Sequence, residues 1–214
     1  MGKQHACYIF AAGEQYGPPP EMAPGSFVIA ADGGYAYLRA HQVAPDLVVG
    51  DFDSLQEPPP AGPDTIVLPQ EKDDTDMVAA LRAGWGCGYR AFHIYGGTGG
   101  RLDHTLANIQ CIADLAVRGG RGFLYGRDTV ITAIAGGRVN FDASARGILS
   151  AFAHSDTVTG VYEVGLKYAL ADATLRNTYP MGVSNEFTGV ESSVSVGRGT
   201  LVLIYPTDVR EVEA

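Results

Sequence analysis

Short apolar runs alternate with helical patterns along the first half of the chain. Five runs are almost continuously apolar, as in strands buried on both faces: ACYIFAAG, SFVIAADGG, DLVVGDFDS, TIVLPQ and AFHIYGG. Between them, GYAYLRAHQ and TDMVAALRAGWG have helical character. The clearest helical period is in LDHTLANIQCIADLAVRGG, whose predicted apolar face is Leu102, Leu106, Ile109, Ala113 and Val117. Strands that alternate with helices predict βαβ units and a mostly parallel, Rossmann-like sheet.

The pattern changes from about Arg127 onward. The apolar runs become short and β-branched, with glycines and polar turns between them: TVITAIAGG, VNFDAS, GILSAFAH, VTGVYEVG, ESSVSVG and GTLVLIYP. No long helical window remains, and this pattern is typical of an antiparallel sandwich or barrel. We therefore predict an α/β domain over residues 1–127 and an all-β domain over residues 128–214.

Composition narrows the possible functions. The formal net charge of −9 argues against nucleic acid as a partner, because phosphate backbones are held by basic patches. No apolar run approaches the roughly 20 residues of a membrane span, and no signal peptide is recognisable. The three cysteines have no metal-type spacing and lie in apolar contexts, so we expect buried, reduced thiols. These features predict a cytoplasmic protein without a membrane partner.

Acidic residues collect where the predicted strands end. ADGG closes the second strand, GDFDS closes the third, EKDDTD follows the fourth and GGTGGRLDH follows the fifth. In an open parallel sheet, ligands bind outside the carboxyl ends of the strands. The aspartates in these four segments are Asp32, Asp51, Asp53, Asp73, Asp74, Asp76 and Asp103. Four acidic strand ends on one edge of a sheet indicate a binding site.

Each acidic segment also has a purely structural interpretation. Asp32 precedes two glycines and is compatible with a turn, and Asp51 with Asp53 is compatible with a solvated turn. Helix capping explains one aspartate of EKDDTD, but it does not explain three carboxylates that repel each other. Asp103 is a possible helix cap, and an isolated His104 is more often structural than catalytic.

The segment GGTGGRLDH has the composition of an anion-binding loop. Glycines such as Gly97 and Gly99 let backbone N–H groups approach a phosphate, and a helix follows. Arg101 adds a planar, permanently charged donor. The segment is not a Walker loop, and the chain has no G-x-G-x-x-G motif that would favour a nicotinamide cofactor. Together with the carboxylates, the loop predicts a Mg²⁺–nucleotide site, in which the cation turns the repulsion between Asp51 and Asp53 into attraction.

The ordered set of motifs resembles that of the thiamine pyrophosphokinases. ADGG, GDFDS, DDTD and GGRLDH occur in the order and at the separations of that family, followed by GLKYAL and GVSNEF. The resemblance covers nearly the whole chain. It implies an N-terminal α/β domain that binds nucleotide and Mg²⁺, followed by an antiparallel β-sandwich that binds thiamine and forms a dimer.

The resemblance also implies an activity and an assembly. Members of the family transfer the pyrophosphoryl group of ATP to the hydroxyethyl group of thiamine and release AMP. They are homodimers, with each active site between the α/β domain of one chain and the β domain of the other. Animal members carry a tryptophan near the C-terminus beside thiamine, whereas the only tryptophan here is Trp85.

Matching motifs assign roles to individual residues. Asp51, Asp53 and Asp76 would hold Mg²⁺ and the triphosphate, and Asp103 would lie near the reacting hydroxyl. Ser184 and Asn185 would lie beside the thiamine pyrimidine. The remaining residues expected on the nucleotide side are Asp32, Asp73, Thr75, Gly97, Gly99 and Arg101.

Other functions remain open from the residues alone. One is a Mg²⁺-dependent pyrophosphokinase for another heterocyclic alcohol, such as a pterin. A second is a non-catalytic module that binds thiamine or a nucleotide. A third is a DxD glycosyltransferase, which would leave the other acidic segments unexplained.

Overall fold

The structure, a computed structural model, describes residues 5–50, 65–67 and 74–212. It divides into two compact units. The first comprises Met1–Cys111 with Leu124–Arg127, and the second comprises Ile112–Phe123 with Asp128–Ala214. The predicted domains, 1–127 and 128–214, remain predictions.

The first unit combines parallel strands with helices. Its strands are β1 (Cys7–Phe10), β2 (Phe27–Ala31), β3 (Leu47–Gly50), β4 (Thr65–Val67) and β5 (Ala91–Tyr95). Its helices are α1 (Gly34–Ala40), α2 (Asp76–Gly86) and the first part of α3 (Leu102–Val117). The pairs β5–β1, β1–β2, β2–β3 and β3–β4 are all parallel. The five predicted strands and three predicted helices of this half are therefore confirmed.

The strand order β5-β1-β2-β3-β4 creates a topological switch point at β1. The chain moves outward from β1 through β2, β3 and β4, and then returns to the other side of β1 as β5. Ligand crevices of open parallel sheets lie at such reversals, outside the carboxyl ends of the strands. The ends of β1, β2 and β5 are therefore the structurally favoured site.

One face of this sheet is covered by α1. Phe10, Val28, Ala30, Leu38 and Val48 form a buried cluster between the helix and the strands. The helix begins at Gly34, where a Cβ atom would overlap the carbonyl oxygen of Phe10. The second glycine of ADGG is therefore required by the close approach of α1 to β1.

The predicted apolar face of α3 is wrong in part. Leu102, Leu106 and Val117 are exposed, whereas Asn108, Ile112, Leu115 and Ala116 are buried. Apolar residues occur all around this helix, so its pattern alone does not fix the buried side. The packing does: a Cβ atom added to Gly122 would contact Ile112 at 2.6 Å and Leu115 at 3.1 Å, so these two side chains lie directly against the glycine.

The second unit is built from antiparallel strands. They are β7 (Thr129–Phe141), β8 (Ile148–Ala153), β9 (Thr157–Val164), β10 (Leu170–Arg176), β11 (Gly182–Glu186), β12 (Ser192–Pro206) and β13 (Glu211–Val212). The pairs are β10–β9, β9–β12, β12–β7, β12–β8, β8–β11 and β7–β13. After Val117, the described part of the chain contains no helix, as predicted. Along the sequence, β6 (Arg121–Tyr125) follows α3 and precedes β7.

Glycines interrupt two strands without ending them. TVITAIAGG and VNFDAS form the single strand β7, and ESSVSVG and GTLVLIYP form the single strand β12. The register between them shifts from Val196 to Thr200, where Gly199 has φ +94°. The predicted turns at these glycines are therefore a bulge within a long strand pair. Sequence patterns also missed strands β6, β10, β11 and β13.

The cysteines are free thiols, but only part of the expected burial is observed. Cys7 is buried, and burial raises the pKa of its thiol to about 12. Cys87 is exposed, so the expectation of a buried thiol is wrong at this position. No helix in the described part of the chain combines the length and hydropathy of a membrane span.

Aromatic rings stack across β1, β5 and β6. The Tyr8 and His93 rings lie 4.9 Å apart, and the Tyr95 and Tyr125 rings lie 4.4 Å apart. His93 Nδ1 lies 2.8 Å from the Tyr125 hydroxyl. Burial lowers the pKa of His93 from 6.5 to about 4, because the charged imidazolium would lose its hydration. The folded protein therefore holds a neutral histidine at this position.

We expect His93 to destabilise the fold in acid. Because the unfolded chain binds this proton more readily, the wild-type free energy of unfolding should fall, relative to that of His93→Phe, as the pH drops from 6.5 to 4. The relative loss should reach about 3 kcal/mol. Urea unfolding at several pH values measures the difference, and parallel pH dependences in the two proteins would contradict the burial of a neutral histidine.

Candidate active site

The first unit contains a cavity of about 560 Å³ at the switch point of its sheet. Residues after β1, after β2, before α2 and after β5 line it. They include Ala11, Ala12, Gly13, Asp32, Asp74, Thr75, Asp76, Gly96, Gly97, Gly99, Gly100, Arg101, His104 and Asn108. Carboxylates, a glycine-rich loop and an arginine therefore meet in one space.

The loop after β5 has the backbone that its glycines predict. Gly96, Gly99 and Gly100 have φ values of +64°, +78° and +57°. A side chain at Gly97 would contact Leu124 at 2.5 Å. Asn108 of α3 donates from Nδ2 to the carbonyl oxygen of Gly97 at 2.8 Å and is itself buried. A hydrogen bond from α3 therefore supports the loop, and its glycines carry no side chain that would block a ligand.

Asp32 adopts an unusual backbone conformation at the end of β2. Its φ is +48°, which is uncommon for a residue other than glycine, although aspartate is among the residue types that tolerate it. The Asp32 N–H donates to the Val49 carbonyl at 2.8 Å, and the Tyr35 N–H donates to the Asp32 carbonyl at 3.1 Å. Backbone strain of this kind concentrates at functional sites. The conformation therefore adds to the case that Asp32 belongs to one.

The start of α2 carries both a cap and acidic side chains. Thr75 is the N-cap residue, and its hydroxyl accepts a hydrogen bond from the Val78 N–H at 3.3 Å. Asp76 lies in the first turn, where the helix dipole favours a negative charge. Asp74 forms an ion pair with Arg82. The segment therefore caps α2 and forms an ion pair, and its residues also line the cavity.

Arg101 and Asp103 bind each other at the start of α3. Arg101 Nε donates to Asp103 Oδ1 at 3.2 Å, and Nη2 donates to Oδ2 at 2.6 Å. The Arg101 hydrogen bond is the main cause that lowers the pKa of Asp103 to about 2. Both side chains are exposed, so the pair is open to exchange partners with an anionic ligand.

The predicted nucleotide-binding residues that the structure describes all line the same cavity. Asp32, Thr75, Asp76, Gly97, Gly99 and Arg101 line the cavity. Asp103 is joined to it through Arg101. Asp51, Asp53 and Asp73 lie outside the described residues. Across residues 5–50, 65–67 and 74–212, no three histidine, cysteine or acidic side chains form a ready metal site.

The two predicted thiamine-side residues belong to the second unit and differ in exposure. Ser184 is exposed, has φ +59° and donates its N–H to the Ser150 hydroxyl at 3.0 Å. Asn185 is 4 % exposed, and its side-chain amide bonds to neighbouring protein groups. Ser184 therefore has the exposure that a direct ligand contact needs, and Asn185 does not.

Sequence reasoning missed two parts of the cavity. Ala11, Ala12 and Gly13 follow β1, and the rule that ligands meet strand ends would have found them. Glu14 also approaches the loop, since the Gly100 N–H donates to its Oε1 at 3.3 Å. Asn108 gave no sequence signal, because one amide in a helix resembles an ordinary surface residue.

Comparison with known proteins agrees with this geometry. A family model described as "Thiamin pyrophosphokinase, catalytic domain" matches residues 21–121. The curated thiamine pyrophosphokinase of Bacillus subtilis (strain 168) is 27 % identical over 186 residues, which cover 84 % of this chain and 87 % of the relative. The chain is therefore similar to thiamine pyrophosphokinases over most of its length, and residues 21–121 match the model of their catalytic domain.

Solved structures of the family have the same fold. The crystal structure of thiamine pyrophosphokinase from Bacillus subtilis has a TM-score of 0.83 and 26 % identity, with coverage of 95 % of this chain and 99 % of that one. The Geobacillus thermodenitrificans thiamin pyrophosphokinase has a TM-score of 0.79 and 28 % identity, with coverage of 95 % and 98 %. A mixed α/β architecture with few helices is therefore shared with these thiamine pyrophosphokinases.

We expect Asn108 to stabilise the glycine-rich loop. Asn108→Ala removes the donor to the buried Gly97 carbonyl and should lower the free energy of unfolding by about 1–2 kcal/mol. Gln110→Ala, on an exposed position of the same helix, is the matched control and should change it by less than about 0.5 kcal/mol. Chemical denaturation compares the two, and equal effects would remove the support role of Asn108.

Proposed function

We propose that this chain transfers the pyrophosphoryl group of ATP to the hydroxyethyl group of thiamine, giving thiamine diphosphate and AMP. The observation that carries the proposal is the cavity at the switch point, where three carboxylates and Arg101 lie beside a glycine-rich loop. Similarity to thiamine pyrophosphokinases supports the choice of donor and acceptor. The relatives do not favour the alternative of a pterin alcohol as acceptor.

The nucleotide phosphates would bind at the glycine-rich loop and the start of α2. Gly97 and Gly99 line the cavity without a side chain, and Thr75 lies at a helix N-terminus, where anions are favoured. Arg101 would leave Asp103 to clamp a phosphate through its planar guanidinium. Asp32 and Asp73 complete the proposed nucleotide side.

Mg²⁺ would be held by Asp51, Asp53 and Asp76 together with the triphosphate. The donor chemistry fits, because carboxylate and phosphate oxygens are the ligands that Mg²⁺ prefers, and Asp32 and Asp74 line the same cavity as Asp76. The bound ion would neutralise phosphate charge and align the leaving group.

The transfer itself depends on positioning. The thiamine hydroxyl oxygen forms a bond to the β-phosphorus, and AMP leaves with the oxygen that bridged the α- and β-phosphorus atoms. Asp103 would orient the hydroxyl through a hydrogen bond to its carboxylate. When Arg101 leaves Asp103 for a phosphate, the hydrogen bond that lowers the pKa of Asp103 is lost, and the carboxylate would also accept the hydroxyl proton. In the second unit, Ser184 and Asn185 would form the thiamine side.

The finer architecture is also part of the proposal. We assign a Rossmann-like α/β domain to residues 1–127 and an antiparallel β-sandwich to residues 128–214, supported by the parallel and antiparallel pairings. We further propose a cytoplasmic homodimer whose active sites form at the chain interface. Exposed apolar side chains of the second unit support an interface: Tyr162, Val164, Tyr168, Tyr179, Met181 and Val183.

Purified protein with ATP, Mg²⁺ and thiamine should form thiamine diphosphate and AMP in equal amounts. Asp76→Asn should lower the turnover rate by at least about 100-fold, because a charge that holds the metal and triphosphate is lost. Asp51→Asn should have the same effect. Chromatography of both products measures the reaction, and a pterin alcohol serves as the contrasting acceptor.

Asp114→Asn is the matched control for the loss of one carboxylate. Asp114 is exposed on α3 and pairs with Arg118 at 3.4 Å, so this variant should keep near-normal turnover. ADP in place of AMP, or a faster reaction with the pterin alcohol, would refute the proposed reaction. Near-normal turnover in Asp51→Asn and Asp76→Asn would refute the metal assignment.

A further inference from the structure

Two sequence motifs of the second unit are joined side by side. Residues 165–168 of GLKYAL run along residues 185–188, which begin in GVSNEF. The Thr188 hydroxyl donates to the Gly165 carbonyl at 2.9 Å, and the Lys167 N–H donates to the Glu186 carbonyl at 3.0 Å. Lys167 Nζ also lies 2.7 Å from Glu186 Oε2. The segment 165–168 is therefore clamped along its length.

Asn185 forms the far end of this clamp. Its Oδ1 accepts hydrogen bonds from the Tyr168 and Glu186 N–H groups, each at 2.9 Å. Its Nδ2 donates to the Tyr168 carbonyl at 2.8 Å and to Glu163 Oε2. All the hydrogen-bonding capacity of the amide is thus used within the protein. Asn185 fixes both backbone groups of Tyr168, a residue that is 61 % exposed.

Glu163 lies beneath this clamp as a buried carboxyl group. It is 1 % exposed and lies on β9, opposite Val194 of β12 and Leu170 of β10. Its Oε2 accepts the Asn185 hydrogen bond, and its Oε1 has no hydrogen-bond partner among the described residues. Burial of a carboxyl group costs free energy that hydrogen bonds offset, and the Asn185 amide supplies the one described for Glu163. The role visible here is to fix the orientation of the Asn185 amide.

We propose that Glu163 is a positioning residue, which holds Asn185 so that residues 165–168 present a fixed surface to the thiamine half of the reaction. The inference rests on the proposed function, in which Ser184 and Asn185 lie on the thiamine side. Glu163 touches no substrate in this account. It acts through Asn185 and the Tyr168 backbone.

The conservative variant Glu163→Gln should preserve this role. Burial raises the pKa of Glu163, and the hydrogen bond from Asn185 opposes that shift. A carboxyl group with a raised pKa is closer to its neutral form, which glutamine resembles in shape and charge. Gln also keeps an oxygen that accepts from Asn185 Nδ2, whereas Leu supplies similar bulk without an acceptor.

Steady-state kinetics separate this role from a general structural one. Glu163→Leu should raise the KM for thiamine about tenfold or more, with the KM for ATP within about twofold of wild type. Glu163→Gln should restore the thiamine KM to within about twofold. Thr132→Val, which also alters a buried hydrogen-bonded residue of the second unit, should leave the thiamine KM unchanged.

Hydrogen exchange tests the clamp in the wild-type protein and in the Glu163→Leu variant. The Tyr168 amide should exchange slowly, because Asn185 Oδ1 accepts its hydrogen bond. In Glu163→Leu it should exchange at least about tenfold faster. An unprotected Tyr168 amide in the wild type would overturn the proposal, and so would an unchanged thiamine KM in a folded Glu163→Leu.

The two proposals fail in different ways. If the wild-type protein forms no thiamine diphosphate, the proposed function fails. If the wild-type protein is active and Glu163→Leu raises the KM values for ATP and thiamine equally, only the positioning role fails.

Discussion

Concentrated negative charge at one edge of a parallel sheet is the constraint on which the site depends. The strand order brings Asp32, Asp74 and Asp76 to one cavity, and such carboxylates repel each other unless positive groups balance them. Arginines balance two acids of this region, Arg82 at Asp74 and Arg101 at Asp103. A nucleoside triphosphate would add further negative charge, so a divalent cation would be needed for it to bind beside these acids.

The backbone around the cavity also suits an anionic ligand, because it leaves room for the ligand and carries N–H groups with partial positive charge. The glycine-rich loop and the start of α2 both line the cavity, and backbone N–H groups of such segments are suited to bind an anion. Gly34 lets α1 approach β1, and Asn108 supports the loop at Gly97. In the second unit, hydrogen bonds from Asn185 fix the Tyr168 backbone in a comparable way. Both units thus use buried polar side chains to fix the backbone of a loop.

Strands and helices were easier to predict from the sequence than which of their side chains are buried and what those side chains contact. The strands of the first half were recognisable because buried parallel strands are continuously apolar, and the acidic strand ends then followed from topology. The buried side of α3 was not, because Leu102 and Leu106 are as apolar as Ile112 and only packing distinguishes them. The sequence predicts a turn at Gly199 where the structure has a bulge, since a bulge and a turn require the same backbone freedom. The roles of Asn108 and Glu163 depend on partners distant in sequence, so no local pattern indicates them.

The most direct test is a crystal structure with Mn²⁺ in place of Mg²⁺ and an ATP analogue whose α,β-bridge resists cleavage. The account predicts an anomalous scattering peak at the carboxyl ends of the strands, between the aspartates and the analogue's phosphates, with the phosphates at the glycine-rich loop. An analogue bound elsewhere, or bound there with no metal peak beside the aspartates, would contradict the account.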